Sequence, residues 1–323
     1  MHDKPISPEA ERFLVRVAWA CEIEGLTQAE AADRFGVTRL RVNKALSEAR
    51  RRGIVRLSVH SAYSPCVELE TRLKTHFALD DAHVAPVADT GAPVKALIGS
   101  YLGHYLSNLL SDDATTRFGM GWGSTLNHAL QSMQPQNRPD LEIVSVMGCV
   151  TRASDLNIIE SARLLANLCN AQKRYFTAPL YAGSARSRNL LIKQDVFADM
   201  IKRIRSVDAL AMTLGDMSAR SNMICDGLPS TVSVQELIDA GAVGDALGFY
   251  LDANGRRVKH AINGCVVGME LADLAGIDNV ILAAGGTYKL AVIRAFLALG
   301  HTNTLITDQV TALALLDGAE QDH

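Results

Sequence analysis

The chain has 323 residues, 48% of them hydrophobic, with 21% charged residues and a formal net charge of −3. That length supports two domains and a large core, while the near-neutral balance gives the whole molecule no electrostatic address. No run of 18 uncharged apolar residues occurs, which excludes a membrane-spanning helix, and the polar start MHDKPISPEAER lacks an apolar signal core; a cytoplasmic location is expected.

The six cysteines (Cys21, Cys66, Cys149, Cys169, Cys225, Cys265) are scattered, with no CxxC spacing. They read as small buried residues in a reducing compartment, and no metal or cofactor site is expected from them.

In chain order, Pro8 to Glu24 forms a first helix, with Phe13, Val17, Ala20 and Cys21 on one face and Gly25 as a stop. LTQAEAADRFGVTRLRVNKALSEARRRGI follows. Thr27 fits a helix N-cap, and Glu30 stands at capping-box spacing; Ala29, Ala32 and Phe35 supply an apolar stripe. Gly36 permits a left-handed turn, and Thr38 caps a second helix running to about Arg52. Leu40, Val42, Ala45, Leu46 and Ala49 are expected on or near its buried side. Two short helices joined by a glycine turn are the helix-turn-helix pattern.

Charge makes this reading specific. Arg34, Arg39, Arg41, Lys44, Arg50, Arg51, Arg52 and Arg56 face a single acid, Glu48, in an otherwise slightly acidic protein. Such a cluster attracts a phosphate backbone. Thr27 and Gln28 at the start of the first short helix, and Thr38, Arg39, Arg41, Asn43 and Lys44 at the start of the second, are assigned to contacts with double-stranded DNA. The following IVRLSVHS would make a short strand or wing. Ser64 to Ala78, with Val67, Leu69, Leu73 and Phe77, reads as an amphipathic helix that either docks on the core or pairs protomers.

After residue 80 short apolar runs alternate with helical segments. Strands are expected at 82–87, 116–121, 141–148, 207–215, 279–286 and 302–308, and helices at 94–110, 124–133, 160–172, 231–241 and 288–300. The alternation predicts an α/β domain with a mostly parallel, Rossmann-like sheet covered on both faces. Ligands of such sheets sit beyond the carboxyl ends of the strands.

GMGWGSTL (119–126) lies at such a place, between strand and helix. Glycines let the backbone approach an anion, and the helix N-terminus adds donors and a positive dipole end. AAGGTYK, with Gly286 and Lys289, occupies the equivalent place in a later strand–helix unit. A lysine at a helix start opposes the macrodipole unless an anion offsets it. A tight turn and an ordinary exposed lysine are the plain alternatives. GAVGDALGFYLDANG (241–255) reads as a loop with two carboxylates, Asp245 and Asp252, suited either to sugar hydroxyls or to turn chemistry.

These pieces, in this order, together with HAINGCVVGM and NVILAAGGTYKLAVIRAFLALGHTNTLITD, resemble the SorC family of sugar-responsive bacterial transcription regulators. The resemblance spans nearly the whole chain. It implies a winged helix-turn-helix (residues 1–60) on an effector domain (61–323) similar to ribose-5-phosphate isomerase. It also implies a homo-oligomer, dimer or tetramer, that binds operator DNA and a phosphorylated sugar or polyol. Carried over residue by residue, the effector contacts fall on Gly121, Gly123, Ser124, Thr125, Asp245, Gly286 and Lys289. Phe249 and Tyr250 follow Gly248 where members often have an arginine and an aromatic, and Gln309 stands where TDE is common. The expected function is a regulator of a carbohydrate or polyol catabolic operon, controlled allosterically by that effector. An active sugar-phosphate isomerase or deaminase is the competing reading, with Asp245 and Lys289 as acid/base or Schiff-base groups. An enzyme, however, has no need of a basic recognition helix.

Overall fold

A computed structural model of the chain describes residues 6–55, 64–86, 93–150 and 158–317. Its internal contacts divide into two units, 1–61 and 62–323.

The first unit contains three helices. α1 (Pro8–Glu22) is capped by Ser7, whose hydroxyl accepts from the Ala10 N–H. α2 (Gln28–Phe35) starts with the expected capping box: Thr27 Oγ1 accepts from Glu30 N–H at 3.3 Å, and the Glu30 carboxylate accepts from Thr27 N–H at 2.8 Å. Gly36 turns the chain in the left-handed region, φ 63° and ψ 38°, before α3 (Arg39–Arg51). Val42, Ala45, Leu46 and Ala49 meet Leu14, Val17, Ala18, Ala31 and Ala32 in a small core. Two expectations fail here. Ala29 is exposed and Ala31 is buried instead, and Leu40 is 65% exposed. The reason is angular: a residue two positions from a buried one lies about 200° round the helix. Ile54 and Val55 pack against this core; the rest of the expected wing lies outside the described residues.

In the second unit, α4 (Ser64–Phe77) buries Leu69 and Leu73 against the core while Val67 stays exposed. It leads into β1 (Asp81–Ala85), then α5 (Val94–Leu109), β2 (Arg117–Met120), α6 (Ser124–Ser132), β3 (Glu142–Ser145), α7 (Ile158–Leu168) and β4 (Gln172–Arg174). Next come α8 (Ala185–Ile192), α9 (Asp195–Ile204), β5 (Ala209–Met212), β6 (Leu214–Asp216) and α10 (Val234–Asp239). β7 (Gly244–Ala246), β8 (Phe249–Leu251), β9 (Asn279–Ala283), α11 (Leu290–Leu297), β10 (Thr304–Asp308) and α12 (Gln309–Asp317) complete it.

Seven strands form one sheet in the order β1-β10-β9-β5-β2-β3-β4, and every pairing in it is parallel. Successive side chains serve opposite layers. Leu210, Met212, Val280, Leu282 and Leu305 enter one apolar cluster, whereas Ala209, Ala211, Ile281, Ala283 and Ile306 enter the other. Such strands need apolar residues at every position, which explains their unbroken runs in the sequence. α5 and α6 cross closely because Gly99 and Gly103 leave room; a β-carbon at Gly99 would lie 2.4 Å from His128 Cβ.

Three expected elements differ. The run 207–215 breaks at Thr213 into β5 of the large sheet and β6 of a separate antiparallel sheet, β6-β7-β8. The helix expected at 160–172 ends with Leu168, and Gln172–Arg174 is an edge strand with all three residues exposed. The presumed loop around GDALGFYL is a hairpin, turning through Leu247 (φ 52°) and Gly248 (φ 86°). Among the cysteines, Cys66 and Cys169 are buried, but Cys225 is exposed.

Candidate functional site

A cleft opens at the carboxyl end of β2, where ligands of parallel α/β sheets sit. Gly121, Gly123, Ser124, Thr125, Asp245 and Lys289 all line it. The first four belong to one stretch of chain after β2, which ends beside β5 because the two strands pair in parallel. Gly121 N–H is committed to Ala211 O at 2.9 Å, so it anchors the loop and cannot also face an anion. Gly123 holds φ 138°, and a β-carbon there would lie 2.6 Å from Thr213 Oγ1, which donates to Trp122 O at 2.9 Å. The loop is thus pinned on both sides. Among the described residues no side chain caps α6, and its first turn has no acid, leaving first-turn N–H groups and the dipole end for a ligand.

Opposite this turn stand two buried charges. Asp245 is 5% exposed in β7, where it pairs with Gly215 of β6. Its Oδ2 accepts from Gly248 N–H at 3.2 Å. Burial raises its pKa to about 6, against the lowering effects of the Gly248 N–H and the Lys289 charge. Lys289 is 7% exposed, at the end of the short 3-10 turn before α11, and donates to Leu214 O. Burial and the neighbouring Lys95 cation lower its pKa to about 8, while Asp216 and Asp245 work the other way. An ordinary exposed lysine is therefore the wrong description of this residue.

One sequence expectation is not met, and one open alternative is decided. Gly286 does not line the cleft; its N–H donates to Asp308 Oδ2 at 2.9 Å and Thr311 Oγ1 at 2.7 Å. Those partners lie more than twenty residues along the chain, so no local signal shows that the amide is taken. Asp252 is turn chemistry, with Oδ1 accepting from Asn254 N–H and Arg256 N–H at 2.9 Å each.

Sequence reasoning also missed Lys95, Arg220 and Ser221, which line the same cleft. Lys95 Nζ lies 3.4 Å from Arg220 O, and the Arg220 guanidinium sits 5.4 Å over the Tyr288 ring. Ser221 Oγ is buried and has no hydrogen-bond partner among the described residues. Among the described residues no group of three or more His, Cys, Asp or Glu is placed to hold a metal ion, and no helix is long and apolar enough to cross a membrane.

On the first unit, the basic cluster divides. Arg50 pairs with Glu22 at 2.8 Å, Arg51 with Glu48 at 2.6 Å, Arg52 also with Glu48, and Arg34 with Glu24. The two arginines hold the Glu48 carboxyl down at about 2. Arg39, Arg41 and Lys44 are exposed and meet no acid among the described residues, so the unneutralised charge gathers in the first half of α3. Asn43 is exposed there too, and Gln28 is half-buried at the start of α2. Arg41 lies 5.0 Å over the Phe13 ring. Thr27 and Thr38 use their hydroxyls to cap α2 and α3.

Comparison with known proteins completes this picture. Residues 61–317 match the family described as a putative sugar-binding domain. The transcriptional regulator LsrR of Escherichia coli K12 is 30% identical over 327 residues, covering 98% of this chain and 99% of its own. The chain belongs to the SorC family of sugar-binding transcriptional regulators. The erythritol catabolism regulatory protein EryD of Brucella abortus is 27% identical over 307 residues, covering 95% of this chain and 96% of its own. The full-length sorbitol operon regulator SorC of Klebsiella pneumoniae superposes with TM-score 0.72 at 22% identity, covering 96% of this chain and all of the other. As a SorC-family member the chain is a transcriptional regulator, and its family implies binding of both DNA and a sugar effector.

Proposed function

We propose that this SorC-family regulator binds operator DNA through α3 and releases or strengthens that grip when a phosphorylated sugar or polyol occupies the cleft. The observation that carries the reading is the convergence of an uncapped helix N-terminus, at Gly123 to Thr125, with buried Lys289 on one cleft. A phosphate satisfies both, since N–H donors and a cation complement its charge. Asp245, on the same cleft, offers an acceptor for hydroxyl groups of the remainder. The names of two similar proteins, an erythritol catabolism regulator and a sorbitol operon regulator, favour a polyol or its phosphate. Coupling requires the effector to prefer one of two arrangements of the protein. A homo-oligomer, dimer or tetramer, in the cytoplasm fits such a reader, because paired half-sites make DNA affinity sensitive to small rearrangements.

The test is a thermal-shift screen against phosphorylated sugars and polyols, each paired with its unphosphorylated form. Stabilisation by one phosphorylated member alone is expected from binding linkage. Stabilisation by an unphosphorylated partner to the same degree would remove phosphate from the proposal.

A further inference from the structure

The first turn of α3 carries a large apolar side chain where its neighbours are cationic. Leu40 is 65% exposed and stands between Arg39 and Arg41. Spacings of three and four residues align Leu40 with Asn43, Lys44 and Ser47, and all four are exposed. The opposite side of the helix, with Val42, Ala45, Leu46 and Ala49, is committed to the core. Leu40 therefore contributes nothing to that core, and helix propensity alone would be served equally well by lysine or glutamine.

The surrounding charge selects the occupant of this strip. Arg39, Arg41 and Lys44 meet no acid among the described residues, so the border of Leu40 attracts a polyanion. The same charges oppose self-association through this face, which would bring like charges together. Duplex DNA supplies both the polyanion and, in its major groove, one apolar feature, the C5 methyl group of thymine.

We infer that Leu40 and Asn43 together read a thymine–adenine step: the Leu40 side chain packs on a thymine C5 methyl, and the Asn43 amide pairs with N6 and N7 of an adenine. Asparagine has the donor and acceptor this pairing needs. The lysine and arginines beside them hold phosphates, which fix the register and carry no sequence information. The inference rests on the proposed reading of α3 as the helix that enters the groove.

The experiment begins by selecting duplexes from a randomised pool with the full-length chain. Each thymine of a selected duplex is then replaced singly by 2′-deoxyuridine, which removes one methyl group and preserves pairing. One thymine per half-site is expected at which the native protein loses about fourfold in affinity, the worth of one buried methyl-sized group. Leu40→Ala should lose nothing further at that thymine, whereas Leu40→Met, which retains an apolar tip, should keep the dependence. Asn43→Ala should relax the adenine preference at an adjoining position. Leu40 is exposed and alanine is a better helix former, so an unchanged melting temperature serves as the folding control. Equal uridine effects in native and Leu40→Ala proteins, or none at any thymine of a duplex that binds, would overturn the inference. A change in oligomeric mass on Leu40→Ala would also overturn it, by assigning the side chain to a second copy. If no duplex is enriched, or Lys44→Ala leaves salt-dependent binding untouched, the reading of α3 itself fails, and the inference with it.

Discussion

Gly215 lies so close to Asp245 that a β-carbon at Gly215 would stand 2.0 Å from Asp245 Oδ1. The two residues face each other across β6 and β7, so the absence of a side chain on one strand sets the position of the carboxylate on the other. Gly215→Ala must push Asp245 out of place. The expected result is a stability loss of about 1–3 kcal/mol, typical of overpacking, together with loss of effector-induced thermal stabilisation. An unchanged effector midpoint in this variant would remove Asp245 from the ligand contacts.

Asp245 also predicts how stability varies with pH. Its folded pKa, about 6, is above the ordinary 3.8, so between roughly pH 4 and pH 6 the folded state holds a proton that the unfolded state has lost. Stability from this group is present at low pH and declines as pH rises through that window, by about 3 kcal/mol in all. Other carboxyls act in the opposite direction: Glu142, beside Arg117, Arg174 and Arg203, and Asp208, hydrogen-bonded by Thr116 and Arg117, are both held below their ordinary values. The difference between native and Asp245→Asn denaturation midpoints isolates the term. It should grow in favour of Asp245→Asn from pH 4 to pH 6 and then level off.

Lys289 has the reverse linkage. Its folded pKa is lowered to about 8 from 10.5, so its buried charge costs stability below pH 8, and the cost disappears as pH rises towards 10.5. A phosphate beside it would favour the charged form and raise that pKa. Effector binding near pH 8 to 9 should therefore take up protons, measurable by titration calorimetry in buffers of different ionisation enthalpy. Lys289→Met should abolish the uptake; persistence of the uptake would assign it to another group.

Thr125 is 5% exposed in the first turn of α6 and lines the cleft. Thr125→Ala should abolish the effector response and leave binding to selected duplexes intact. A native effector midpoint in this variant would take the loop out of the binding site.

The proposed DNA-contacting unit predicts separable effects. Lys44→Ala should weaken binding about equally for all sequences and reduce the salt slope by about 1. Arg41→Ala should weaken operator binding without altering effector-induced stabilisation. It should also cost about 0.5–1 kcal/mol in the stability of the first unit, since the guanidinium stacks over Phe13. Thr27→Ala should cost about 1 kcal/mol by removing its cap, with little effect on sequence preference.

Much of this was legible from local signals. The capping box at Thr27 and Glu30, the left-handed Gly36 and the apolar strand runs between helices are properties of neighbouring residues, and apart from the break at Thr213 they form as expected. What escaped depended on distant partners. The hairpin that carries Asp245 resembles a glycine-rich loop, because β7 and β8 are only three residues each and turn through a left-handed leucine. Gly286 has the sequence of a phosphate loop, yet Asp308 and Thr311 occupy its amide. Gln172 to Arg174 showed no apolar alternation because an edge strand here buries none of its three residues. Leu40 looked like core by composition alone, and only its angle relative to Val42 reveals otherwise.

The order of strands in the large sheet has a consequence for how the protein is made. Among the described residues β1 lies at one edge and pairs only with β10, Asp81 against Thr304, so a ribosome must extend the chain by more than two hundred residues before β1 finds this neighbour. Long-range parallel pairing of this kind is slow and leaves strand edges open meanwhile. The described core of α1, α2 and α3, by contrast, is made of residues of the first unit. The helices proposed to meet DNA can thus be complete on a nascent chain whose proposed sensing cleft does not yet exist.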